Sequence, residues 1–63
     1  MKDEEKMMCQ LVFDKGNLLE VIESECDGVN ISCYIVELNG SKYTLTSHDG
    51  EWIYFNHIIE SGR

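Results

Sequence analysis

His48, His57, Cys9, Cys26 and Cys33 are the side chains of this 63-residue chain that could serve as a neutral-pH base, a thiol nucleophile or a soft metal ligand. A Cys33–His57 pair would make a nucleophile and its base if two strands brought them within hydrogen-bond reach. Cys9 and Cys33, however, fall within strand-like apolar alternations. A buried thiol stays inert unless a base or a positive group lowers its pKa. Cys26 and Cys33 with His48 and His57 match no recurrent zinc spacing, and there is no Cys-x-x-Cys. Three cysteines, an odd number, argue against a disulfide framework, so they read as reduced, small apolar residues. Ser24, Ser32, Ser41, Ser47 and Ser61 lie in no nucleophile-elbow context.

Carboxylates are plentiful: Asp3-Glu4-Glu5, Glu20, Glu23-x-Glu25-x-Asp27, Glu37 and Asp49-x-Glu51. General acid–base catalysis needs two of them in a cleft with their pKa values pushed apart. These sit beside turns and on polar faces, where water keeps them ordinary. Calcium at Glu23, Glu25 and Asp27 lacks the loop spacing and the glycine of a known site. No catalytic, cofactor or metal site is expected, and the chain does not read as an enzyme.

The charge balance points elsewhere. Twelve Asp and Glu against five Lys and Arg leave a formal net charge of −7. Nucleic-acid binders gain affinity by neutralising phosphates with Lys and Arg, whereas this chain would repel a phosphate backbone. A protein partner with a basic surface fits better, and the expected function is a small acidic binding module, a regulator or inhibitor of a larger protein. The run Glu20, Glu23, Glu25, Asp27 is the leading candidate surface. As a strand it would project Glu23, Glu25 and Asp27 on one side, where charge-assisted contacts to Arg would be strong. A second candidate is the aromatic group Tyr34, Tyr43, Trp52, Tyr54 and Phe55, which could form an interface or the core.

The elements that must position these residues are short. Lys15-Gly16-Asn17, Asp27-Gly28, Asn39-Gly40 and Asp49-Gly50 punctuate the chain about every ten residues, and Asn-Gly and Asp-Gly favour the tight turns that join antiparallel strands. Met8–Phe13 alternates, with Cys9, Leu11 and Phe13 on one side, and reads as a first strand. Leu18–Cys26 reads as a strand. A helix there is the alternative, with a stripe of Leu18, Leu19, Ile22 and Cys26 capped by Asn17. Val29–Leu38, Lys42–Ser47 and Glu51–Ile59 complete the set. The expected fold is mainly β: about five antiparallel strands in a meander or small bent barrel, with a short N-terminal helical turn allowed before it. The alternative is an α+β fold with a helix at 18–26 packed on a sheet. The expected boundaries are a flexible segment at 1–7, one domain at 8–60 and a tail at 61–63.

With the strands placed, Leu11 to Ile59 resembles the Sm-like family of small bent barrels, which assemble into rings and bind RNA. Gly16 followed by Asp27-Gly28-Val29-Asn30 is similar to the first Sm motif with one extra residue, and Trp52-Ile53-Tyr54-Phe55-Asn56-His57-Ile58 falls where the second lies. The resemblance implies a closed SH3-like barrel, a ring and a single-stranded RNA site using Asn30, Tyr54 and His57. The family's base-binding Arg falls at Tyr54 and its Gly at Phe55, and the basic residues that would hold phosphate are absent, so nucleic acid is not the expected partner.

A domain of this size buries only about 60% of its unfolded surface, so self-association as a dimer or ring is expected to help it. Apolar residues on both sides of the last strand imply closure into a barrel or pairing with a second subunit. Nothing in the sequence is long or apolar enough to span a membrane, and the mixed charge of the N-terminus does not resemble a signal peptide. The expected location is cytoplasmic.

Overall fold

The computed structural model of the chain describes residues 1–59; the expected tail at 61–63 lies outside them. The chain opens with a helix, α1 (Asp3–Lys15), followed by four strands, β1 (Asn17–Cys26), β2 (Val29–Leu38), β3 (Ser41–His48) and β4 (Glu51–Ile58).

The expected first strand at Met8–Phe13 is therefore helical, and the helix reaches back to Asp3, into the segment expected to be flexible. Asp3, Glu4 and Glu5 fill its first turn and Lys15 its last, the arrangement that suits the helix dipole. Glu5 Oε1 accepts from the Lys2 backbone N–H at 3.3 Å, capping an otherwise orphaned donor. Gln10 Nε2 donates to Asp14 Oδ1 one turn on, at 2.9 Å. The buried residues, Cys9 and Val12, are three apart, as a helix requires and an alternating strand does not allow. The Gly16 N–H closes the helix on Val12 O at 2.9 Å. A Cβ on Gly16 would run into Val36 Cγ1 and sit 2.8 Å from both Glu37 O and Val12 O, so glycine lets the chain cross tightly from helix to sheet.

Leu18–Cys26 is strand, not helix. The four strands form an antiparallel meander in the order β1-β2-β3-β4. The sheet has four strands instead of five. It is open: β1 and β4 are its two edges, and neither the barrel nor the closure expected for the last strand forms. The turns at Asp27-Gly28, Asn39-Gly40 and Asp49-Gly50 have positive φ at both positions, as in type I′ hairpins. The fourth signal, Lys15-Gly16-Asn17, is the helix–strand junction. A register shift between Leu18 and Glu20 bulges β1, and another opposite Thr46 and Ser47 makes Ile53 the extra residue of β4.

Register assigns the two faces. Tyr34, Val36, Tyr43, Leu45, Trp52 and Phe55 lie on the side covered by α1, where Cys9, Val12, Val36 and Leu45 form the buried core. Phe13, Tyr34 and Trp52 meet in a mutual cluster with ring centroids 4.9–5.7 Å apart. The Trp52 indole N–H donates to Gln10 Oε1 at 3.0 Å. The helix lies over β2, β3 and β4. β1 is exposed along its whole length. The sheet's other face has no second layer among the described residues and carries Ile22, Ile31, Cys33, Ile35, Tyr54 and Ile58.

Candidate functional site

Two of the three hairpin turns, Asp27-Gly28 and Asp49-Gly50, lie at the same end of the meander, because alternate hairpins reverse direction. They are tied through Asn30. The Asp49 N–H donates to Asn30 O at 3.0 Å, and Asp49 Oδ1 accepts from the Asn30 N–H at 3.3 Å. On the α1 side of the sheet this corner holds an open depression of about 620 Å³, with no α1 residue in its lining. Its lining includes Glu23, Glu25, Asn30, Ser32, Ser47 and Gly50, with no Lys or Arg among the lining residues.

The geometry follows from pairing. Glu23 stands opposite Ser32 and Glu25 opposite Asn30, so both carboxylates share the face that Tyr34 and Val36 present to α1. Asn30 and Ser32 on β2 and Ser47 on β3 are short and polar, and the hollow lies above them. Asp27 sits in the turn itself with φ of 52°. Glu51 follows the second turn and pairs with Lys6 Nζ at 3.6 Å, an exposed contact worth little by itself.

Of the residues expected to bind a partner, Glu23, Glu25, Asp27 and Asn30 are brought together at this corner. Glu20 is not with them: opposite Ile35, it stands on the uncovered face. Asn30, Tyr54 and His57 do not form one site. Tyr54 pairs with Thr46 on the uncovered face, whereas His57 pairs with Tyr43 on the helix side and stacks on its ring at 4.9 Å. Cys33 pairs with Thr46 and so faces away from His57, which separates that conceivable dyad. Among the described residues no group of His, Cys, Asp and Glu is arranged to hold a metal ion.

All three cysteines are free thiols, Cys26 exposed and Cys9 buried. Burial pushes the Cys9 thiol above its ordinary value of 9.0, and the nearby Glu5 carboxylate adds to that. The Cys9 Sγ–H lies 3.8 Å from Tyr54 O, a packing contact and not an activating one.

Asp49, Ser32 and Ser47 were not singled out from the sequence as part of a site. Their signal was present: counting outward from the two-residue turn Asn39-Gly40 places Asn30 opposite Asp49 and Ser32 opposite Ser47. Among the described residues no helix is long and apolar enough to cross a membrane. Comparison with known proteins adds nothing to this geometry: no family model, no curated protein and no solved structure matches the chain.

Proposed function

We propose that this protein is a small acidic binding module that docks on a basic surface of a larger protein. The observation that carries the reading is the acidic corner, where Glu23 and Glu25 line a hollow beside Asp27 and Asp49. A carboxylate row at one end of a chain of net charge −7 attracts a basic partner over the Debye length, about 8 Å at physiological salt, and orients it before contact. Arg side chains entering the hollow would meet carboxylates and hydroxyls together, and hydrogen bonds to charged groups contribute about 1.5–3 kcal/mol each. The uncovered face of the sheet, where Ile22, Ile31, Ile35 and Ile58 stand among polar residues such as Glu20, Thr44 and Thr46, offers the same module a surface for self-association, which native mass in solution tests.

The test is affinity capture with the wild-type chain and with a Glu23→Lys, Glu25→Lys double variant, each followed by stepwise salt elution. A basic partner released at moderate salt and absent from the variant is the expected result. A partner retained in 1 M salt, or held equally by the variant, overturns the reading; so does saturable binding of a short RNA by the wild-type chain.

A further inference from the structure

An edge strand is normally protected by brevity, by lysine or proline, or by a covering element. β1 has none of these; what guards it is the negative charge of Glu20, Glu23 and Glu25, which repels acidic or like strands but not a basic one. The strand is ten residues long, all ten exposed, and it lies outside the footprint of the helix. Its one irregularity is the bulge at its start, between Leu18 and Glu20. Val21 and Ile22 are 43% and 51% exposed on opposite faces, so apolar surface lies on both sides of the same strand. The other edge, β4, is shorter and bulged, and Trp52 and Phe55 are packed under α1.

The hairpin turn also fixes which backbone groups are free. Asp27-Gly28 is a two-residue turn, so Cys26 and Val29 form its hydrogen-bonded closing pair. Ser24 and Ile22 therefore bond to β2, while the N–H and C=O groups of Val21, Glu23 and Glu25 point outward from the sheet. The residues offering free backbone groups are the ones that put two carboxylates on the helix side. On the other face the strand presents Ile22, flanked by Ser24 and Glu20.

We propose that β1 takes up an extended segment of the partner as a fifth strand, and that this segment alternates basic with apolar residues. This rests on the acidic-docking reading and specifies its mode. Basic side chains of the added strand stand opposite Glu23 and Glu25, and the intervening apolar ones extend the uncovered face beside Ile22. A second copy of this chain is a poor occupant, because its β1 would bring the same Glu20, Glu23 and Glu25 alongside the first set.

The probe is a ten-residue peptide alternating Arg with Val, compared with the same peptide N-methylated at alternate residues so that its charge is kept and its edge is blocked. Binding of the parent peptide at low salt, about tenfold or more loss on N-methylation, and slowed hydrogen exchange at Val21, Glu23 and Glu25 are expected. On the protein side, Val21→Pro removes one outward N–H without changing charge and should weaken binding by a similar factor against Val21→Ala; the peptide arm stands even if the proline variant is poorly folded. Charge-dependent binding that ignores N-methylation overturns strand addition and leaves acidic docking intact. No binding of the parent peptide overturns it as well. Protected β1 amides in the protein alone, with a doubled native mass, overturn it in favour of self-pairing.

Discussion

Asn30 and Asp49 grip each other twice: the Asp49 N–H donates to Asn30 O at 3.0 Å, and the Asp49 side chain accepts from the Asn30 N–H at 3.3 Å. The second bond stands where the next ladder bond between β2 and β3 would fall. Together they hold the two acidic turns side by side and so define the corner proposed to bind.

Asp49 serves as a side-chain acceptor and as a residue that tolerates positive φ, and substitution tests the two together. Its φ of 50° suits Asp or Asn and penalises most other residues. Asp49→Ala loses the side-chain acceptor and keeps the unfavourable φ, and should cost about 1–2 kcal/mol. Asp49→Asn retains both features and should unfold close to wild type. Thermal melts distinguish them, since about 1 kcal/mol moves the midpoint roughly 4–8 °C in a domain this small.

The core is small enough for one side chain to decide folding. Leu45 is 0% exposed, in one buried cluster with Val36 and with Cys9 and Val12 of the helix. Leu45→Ala should cost about 2–5 kcal/mol, most of what a marginal domain has, and leave the chain largely unfolded by circular dichroism at 37 °C. Leu19→Ala, at a bulge position 51% exposed, should change the unfolding free energy read from urea titration by no more than about 0.5 kcal/mol. Equal effects would mean that the helix does not cover the Leu45 face in solution.

The thiols should react in order of exposure. Iodoacetamide should modify Cys26 first and Cys9 only on unfolding, which mass spectrometry of digests resolves. Because folding raises the Cys9 pKa above 9.0, the two states bind the same proton below that value and no stability difference arises. Above it the unfolded chain loses the proton first, binds fewer protons than the folded chain, and stability falls as pH rises. Cys9→Ala should therefore show a weaker decline than wild type as the pH rises above 9.0 in denaturant titrations.

Much of the sheet could be read from local chemistry. Asp27-Gly28, Asn39-Gly40 and Asp49-Gly50 select two-residue turns because those residues accept positive φ, and each register counts outward from its turn. The acidic corner follows from the same counting. The bulges at Leu19 and Ile53 do not, since an extra residue leaves both neighbouring alternations intact and only cross-strand pairing reveals it.

The helix could not be read that way. Six residues from Met8 to Phe13 satisfy a period of two as well as one of 3.6, and the choice is made by what Cys9 and Val12 can reach. Val36 and Leu45 come from strands more than twenty residues away, so the burial that favours helix exists only once the sheet has formed. The same holds for closure: whether β1 meets β4 depends on the curvature accumulated over the whole sheet.

The order of amino acids by itself determined the hairpins, their registers as far as the bulges and the concentration of negative charge, because each depends on neighbours in the chain. Tertiary structure alone decided that the N-terminal segment coils, that the sheet stays open and that β1 is left bare on its outer edge. Those outcomes depend on which distant apolar surfaces find one another, and burial is a property of the assembled layers.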